Sequence, residues 1–152
     1  MSIAWIYLDK KSAAVDALKD HSSMEYIIKN HRDDIGDIRS KMTARPSASV
    51  VSFSKEKNPK SGETRLAASL DEIDILRERY RRALEYMEWF QPAWDTLTDD
   101  ERFVLSEFYR DDDNRQIDSI GNICERFHIE RSSAYNKKNR ALFKLSLLLY
   151  GK

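Results

Sequence analysis

From Ile73 to Trp94, apolar residues return at alternating intervals of three and four: Ile73, Leu76, Tyr80, Ala83, Met87, Phe90 and Trp94. An α-helix turns once in about 3.6 residues, so this spacing lines up one face as the seam of a heptad repeat. Arg77, Glu78, Arg81, Arg82, Glu85 and Glu88 fall on the other face, with Glu78 and Arg82 one turn apart. Pro92 has no amide donor and predicts a break near the end of this helix, leaving Trp94 to pack from the following turn. A weaker seam of similar length runs through Met24, Ile28, His31, Ile35, Ile38 and Met42. Two matching seams predict an antiparallel helical hairpin, with an intermolecular coiled coil as the alternative. Residues 3–19 predict a further short helix, with Trp5, Leu8, Val15 and Leu18 on one side and a break at Asp20 to Ser23.

Three Ser/Thr-x-x-Glu motifs precede helical patterns: Ser22/Glu25, Ser69/Glu72 and Thr98/Glu101. In such a capping box the hydroxyl accepts from an orphan amide and the Glu reaches back to the cap residue, so each motif predicts a helix start. Residues 43–65 hold two of the three prolines and many Ser and Lys, with no apolar period. They predict a flexible linker, with Val50, Val51 and Phe53 available for local docking. After Leu97 the elements shorten. Thr98–Tyr109 predicts a capped helix with Phe103, Val104, Leu105, Phe108 and Tyr109 apolar. A polar loop, 110–116, follows. A second helix over Ile117–Phe127 turns Ile120, Ile123, Cys124 and Phe127 inward. His128, Ile129 and Glu130 form a turn. A last helix, Arg131–Leu149, carries Ala134, Ala141, Leu142, Leu145, Leu148 and Leu149 on its apolar side. The fold class expected is all-α: an N-terminal helical hairpin or coiled coil followed by a C-terminal helix-turn-helix domain. The division expected is N-terminal helices over 1–42, the linker over 43–65, the heptad-patterned helix over 66–95 and the C-terminal domain over 97–150.

Composition supports helices: 34% of residues are charged, with four Gly and three Pro in 152 residues. Basic and acidic residues balance at 26 each, so whole-chain charge points to no partner. The distribution says more. Residues 98–116 carry seven acids and three bases, whereas residues 117–152 carry seven bases and three acids. The positive end is where a phosphate backbone could use it. The single cysteine, Cys124, allows no intrachain disulfide and fits a reducing compartment. No apolar run approaches the roughly 20 residues of a membrane span, and no secretory signal is visible at the N-terminus.

A short helix, a tight turn and a longer basic helix are the parts of a helix-turn-helix, whose second helix enters the major groove by its N-terminal end. Here that end carries Arg131, Ser132, Ser133, Tyr135, Asn136, Lys137, Lys138, Asn139 and Arg140. Arg can bond guanine and Asn adenine in bidentate fashion. Ser, Tyr and Lys can hold phosphate oxygens. Arg131, Ser133 and Asn136 are the expected base readers, with Tyr135 beside them. Lys137, Lys138 and Arg140 are the expected backbone contacts. The bland reading of the same run is a solvated face of a helical bundle, which charged helices usually are.

The run ERFHIERSSAYNKKNRALFKL (125–145) resembles region 4 of bacterial sigma factors, which reads the −35 promoter element, at Arg126, Phe127, Arg131, Ala141, Leu142, Lys144 and Leu145. LTDDERFVLSEFY (97–109) is similar to that region's first helix. The chain as a whole resembles phage-encoded regulators of the ArpU type, which join a helical N-terminal half to a sigma-region-4-like end and are linked to late phage genes. The resemblance implies promoter reading by Arg131, Ser132, Ser133 and Asn136. It implies double-stranded DNA and RNA polymerase as partners, and the cytoplasm of a bacterial host cell. Three departures bear on the target: Glu130 stands where the family has a capping Thr, Ser132 and Ser133 replace charged residues, and Lys137 replaces a core Ile. The −35 sequence itself is therefore not implied.

The reading is a sequence-specific transcription regulator, not an enzyme, whose N-terminal half either forms a homodimer through the heptad-patterned helices or contacts RNA polymerase. Two rivals stay open: a phage DNA-packaging subunit of the small-terminase type, and a polymerase- or sigma-binding protein without DNA contact. Asp111, Asp112, Asp113 and Asn114 lack the alternation, central Gly and distal Glu of a calcium loop. Cys124 and His128 offer two ligands where zinc needs four. No nucleophile, P-loop or dinucleotide motif occurs, and no cofactor is expected.

Overall fold

The structure is a computed structural model that describes residues 8–43, 59–110 and 116–151. Those residues form five α-helices and no strand: α1 (Lys10–Thr43), α2 (Pro59–Thr96), α3 (Asp99–Tyr109), α4 (Gln116–Phe127) and α5 (Arg131–Tyr150). The all-α class agrees with the periodicity.

Several expected boundaries move. Asp9 starts α1: its carboxylate accepts from the Ser12 amide at 3.3 Å and its carbonyl from the Ala13 amide at 2.9 Å. Leu8 therefore precedes the helix and is exposed, while Trp5 lies outside the described residues. No break occurs at Asp20 to Ser23, and Ser22 lies inside α1. The weak local propensity of that tetrapeptide is overridden by packing, because His21 is buried among the aromatic rings of α2. Likewise Ser69 is interior to α2, which begins at Pro59, so residues 59–65 of the expected linker are helical. Val50, Val51 and Phe53 lie outside the described residues, as do Asp111 to Asn114. Pro92 does not end α2. The helix runs on to Thr96, whose hydroxyl donates to the Pro92 carbonyl at 2.8 Å, and Trp94 is buried from within it. Of the three expected capping boxes, Thr98/Glu101 forms. The Thr98 hydroxyl accepts from the Glu101 amide at 3.3 Å, and the Glu101 carboxylate from the Thr98 amide at 2.9 Å.

The chain divides into two compact units, Met1–Glu25 with Glu85–Lys152, and Tyr26–Leu84. The first holds two apolar clusters. The larger joins Ala14, Ala17 and Leu18 of α1, Phe90, Ala93 and Trp94 of α2, Leu97, Leu105 of α3, and Ala141, Leu142, Leu145 and Leu149 of α5. Alanines on three helices let the backbones approach around Phe90, Trp94 and the leucines. Polar ties complete it: the Tyr86 hydroxyl donates to the Ala17 carbonyl, and the Tyr150 hydroxyl to the Ala13 carbonyl at 3.2 Å. Lys10 Nζ donates to the Gly151 carbonyl at 3.1 Å. The smaller cluster packs Val104 of α3, Ile120 and Ile123 of α4 and Ala134 of α5, flanked by Phe103, Phe108, Cys124, Phe127 and Ile129. Phe90, Trp94 and Tyr109 pack in the larger cluster and Phe103 and Phe108 against the smaller, while Trp89 is exposed. Leu148, expected inward, is 41% exposed.

In the second unit, Ile35 of α1 and Ile73 and Ala83 of α2 are buried, and His31 stacks flat on Tyr80 with centroids 4.0 Å apart. Every described position of the two expected seams is buried or largely shielded. Leu66, Leu70, Ile75 and Leu84 remain exposed on α2.

The end of α3 is held by a part-buried polar contact. Arg110, its C-cap, lies over the Trp94 face at 5.1 Å and donates to Nδ1 of His21. Arg has no acceptor, so the His21 ring must be neutral at that nitrogen. Burial, and then the Arg110 charge, hold the His21 pKa below the usual imidazole value, against the opposing influence of Glu25 and a hydrogen bond to Gln91. A folded-state pKa lowered in this way means the unfolded chain takes up the proton first. The stabilisation is complete above the ordinary imidazole value and is lost as pH falls through it towards the folded value.

Two expected outcomes follow from this packing. Phe90→Ala, at a fully buried ring, should cost about 3–5 kcal/mol in urea unfolding, and Trp89→Ala less than half as much. Between roughly pH 7 and pH 5 the melting temperature should fall more steeply for the wild type than for His21→Gln, whose amide oxygen accepts from Arg110 without titrating. Parallel profiles would show that His21 is not the titrating group.

Candidate nucleic-acid interface

α3, α4 and α5 pack on one another, and two local devices fix how α5 starts. On the α3 side, the buried Ser119 hydroxyl donates to the Glu107 carbonyl at 2.7 Å, satisfying one of the carbonyls a helix end leaves open. Asn122 adds a 3.2 Å bond to the Glu107 carboxylate. On the α5 side, the Ile129 amide donates to the Cys124 carbonyl at 3.2 Å while His128 takes φ 53°. This is the long-range bond and left-handed residue of a Schellman helix end, with Ile129 packed into the smaller cluster. Glu130 then has the extended backbone of an N-cap, but its side chain makes no capping bond.

α5 changes character along its length. From 141 to 149, Ala141, Leu142, Leu145, Ser146 and Leu149 are buried. Between 131 and 140, Ala134 is the buried position. Arg131, Ser132, Ser133, Tyr135, Asn136, Asn139 and Arg140 are exposed, and Lys137 and Lys138 are partly shielded. The structure thus brings the predicted polar residues together around the free first turns of one helix.

The two lysines fold back on aromatic rings. Lys137 Nζ lies 4.6 Å from the Phe127 centroid, and Lys138 Nζ lies 4.9 Å from Phe108 and 5.4 Å from Tyr135. Their stems cover apolar surface while cation–π attraction fixes the ammonium groups. Lys137 therefore still packs, although the residue is charged. Arg126, outside the predicted set, sits 4.2 Å over Phe103. Its position in the last turn of α4, beside the turn, is the signal that could have marked it.

Acidic groups limit the basic face. Lys144 pairs with Glu101 at 2.9 Å. Partial burial works to raise the Glu101 pKa, but the Thr98 amide, Lys144 and the Thr98 hydroxyl together hold it below the usual carboxylate range. A cavity of about 210 Å³ is lined by Thr98, Asp100, Glu101, Val104, Lys137, Arg140 and Ala141. Lys137 and Arg140 thus share a cleft with the acidic start of α3, while Arg131 stands clear of it.

Among the described residues, no group of three or more His, Cys, Asp or Glu could hold a metal ion, and no helix is long and apolar enough to cross a membrane. Comparison with protein-family models, with curated proteins and with solved structures finds no match to this chain.

The His128 conformation is testable. A left-handed backbone at a residue with a Cβ costs roughly 1 kcal/mol, so His128→Gly should raise stability to chemical denaturation by about that amount. A loss of stability would mean that the imidazole contributes more than its backbone strain removes.

Proposed function

We propose that this protein is a sequence-specific DNA-binding transcription regulator. In this reading α4, the turn at His128 to Glu130 and α5 act as a helix-turn-helix, and α5 inserts its first turns into the major groove. The observation that carries it is the asymmetry of α5. Its second half is anchored in the larger core, while its first half is held through Ala134 and exposes Arg131, Ser133, Asn136 and Tyr135. Those are side chains that can bond base edges. Lys137, Lys138 and Arg140 lie further back and serve the phosphate backbone, with Ser132 and Asn139 completing the polar face. The resemblance of residues 97–150 to sigma region 4 supports promoters as the targets. The likeness to ArpU-type regulators supports late phage genes.

The heptad-patterned helices supply assembly in this reading. Leu66, Leu70 and Leu84 of α2 leave apolar surface on one flank of the buried seam, where a second copy would pack. A dimer would place two copies of α5 on half-sites separated by whole turns of the duplex.

Selection from a random duplex library with the full chain tests the proposal. The wild type is expected to enrich one motif, in two parts if it dimerises, and Arg131→Ala/Asn136→Ala is expected to lose it with an unchanged melting temperature. No enrichment by the wild type, together with no binding at low salt where backbone contacts are strongest, would sink the reading.

A further inference from the structure

Tyr135 differs in chemistry from the rest of the exposed start of α5. It is 42% exposed, and within residues 131–140 it is the one large apolar side chain left open. Its neighbours on that face are hydrogen-bonding groups. Arg131 lies one turn before it on nearly the same side, with Ser132, Asn136 and Asn139 alongside, all exposed.

The ring is held in place from two directions. Its centroid lies 6.2 Å from that of Phe108 on α3, at an interplanar angle of 44°. Lys138 Nζ lies 5.4 Å from the Tyr135 centroid and 4.9 Å from that of Phe108, so one ammonium group serves both rings. Phe108 in turn packs against the smaller core cluster. A side chain already fixed by its neighbours loses little freedom on meeting a partner. The hydroxyl takes no part in this seat, because it has no hydrogen-bond partner among the described residues.

In the DNA reading proposed above, on which this inference rests, the first turns of α5 face base edges in the major groove. Those edges display hydrogen-bond donors and acceptors, and one apolar group, the C5 methyl of thymine. Arg, Ser and Asn suit the polar groups, and a fixed, half-open ring suits the methyl. We infer that Tyr135 is a specificity-determining residue whose ring contacts a thymine C5 methyl, so that the preferred DNA site contains a thymine read by shape and apolar contact. The competing use of a tyrosine at this place is a hydroxyl bond to phosphate, which depends on a different atom.

Exchange of thymine for uracil tests this, since it removes the methyl and leaves base pairing and the hydrogen-bonding edge unchanged. Binding of the full chain to the motif recovered by selection is followed by fluorescence anisotropy at one salt concentration, with each thymine replaced singly by deoxyuridine. At one position per bound copy the replacement is expected to weaken binding about fourfold, the factor for withdrawing one methyl group from apolar contact. Tyr135→Phe should keep that preference. Tyr135→Ala, or Tyr135→Gln should the alanine variant lose its melting transition, should bind the thymine and uracil duplexes alike. A motif without thymine, a wild type indifferent to every replacement, a preference that survives in Tyr135→Ala, or one lost in Tyr135→Phe overturns the inference, while the recovered motif leaves DNA reading standing. Failure of the wild type to recover any motif sinks the DNA reading and this inference with it.

Discussion

Leu145 has no exposed surface at the centre of a core to which α1, α2, α3 and α5 all contribute, and the placement of the polar face of α5 depends on that burial. A helix of this length is marginal by propensity alone, and its stability comes from the apolar side it buries. Here the buried positions are concentrated in the second half. Ala141, Leu142, Leu145 and Leu149 lock that half against Phe90, Trp94 and Leu18, so the first half can project polar side chains without carrying its own core. Helical hydrogen bonding continues into the first half and transmits the fixed direction. The small cluster of Val104, Ile120, Ile123 and Ala134 then sets rotation about the axis, because Ala134 is the one buried position there.

The helix ends are secured by a different kind of interaction. α3 is capped at its start by Thr98 and Glu101, and its end is tied by Ser119 to the Glu107 carbonyl and by Arg110 to His21. Each contact satisfies a group that would otherwise cost free energy when shielded from water. Arg110 is the more demanding case, because it brings a permanent charge against a buried imidazole. That contact holds only while the imidazole stays neutral, which makes its contribution pH-dependent.

Much of this was legible in the residues. The starts and ends of α3, α4 and α5 follow from the Thr98/Glu101 box, the turn at His128 to Glu130 and the apolar spacing. The seams through Ile35 and Ile73 are shielded as the 3.6-residue period requires. The lengths of α1 and α2 were not legible. Ser22 and Ser69 carry the letters of a capping box, but a hydroxyl in a helix interior has no orphan amide to serve, and packing of His21 and Ile73 carries the helix past them. Pro92 misled for a related reason. Losing one amide is tolerable near a helix end when Phe90, Ala93 and Trp94 are all anchored in the core. At the site, exposure of Arg131, Ser133 and Asn136 could be read from periodicity. The aromatic seats of Lys137 and Lys138 and the acidic lining opposite Arg140 could not, because each depends on residues distant in sequence or on another helix.

Charge placement decides what kind of DNA contact α5 could make. Lys144 is neutralised by Glu101, and Lys137 and Arg140 share a cleft with Asp100 and Glu101. Lys137 and Lys138 are seated on aromatic rings, so the exposed positive charge of this half of α5 outside that cleft is Arg131, within a chain of zero net charge. Non-specific affinity for duplex DNA scales with the number of phosphates neutralised, so this face has a weak electrostatic contribution to draw on. Ser132, Ser133, Asn136 and Asn139 add hydrogen-bonding capacity without charge. In the proposed reading, discrimination among sequences would therefore rest on base-edge hydrogen bonds to a larger degree than affinity rests on phosphates. A single copy with few phosphate contacts would bind weakly even to its preferred sequence. Useful occupancy would then require a second copy or a protein partner on the same DNA, which gives the exposed leucines of α2 a physical reason to be there.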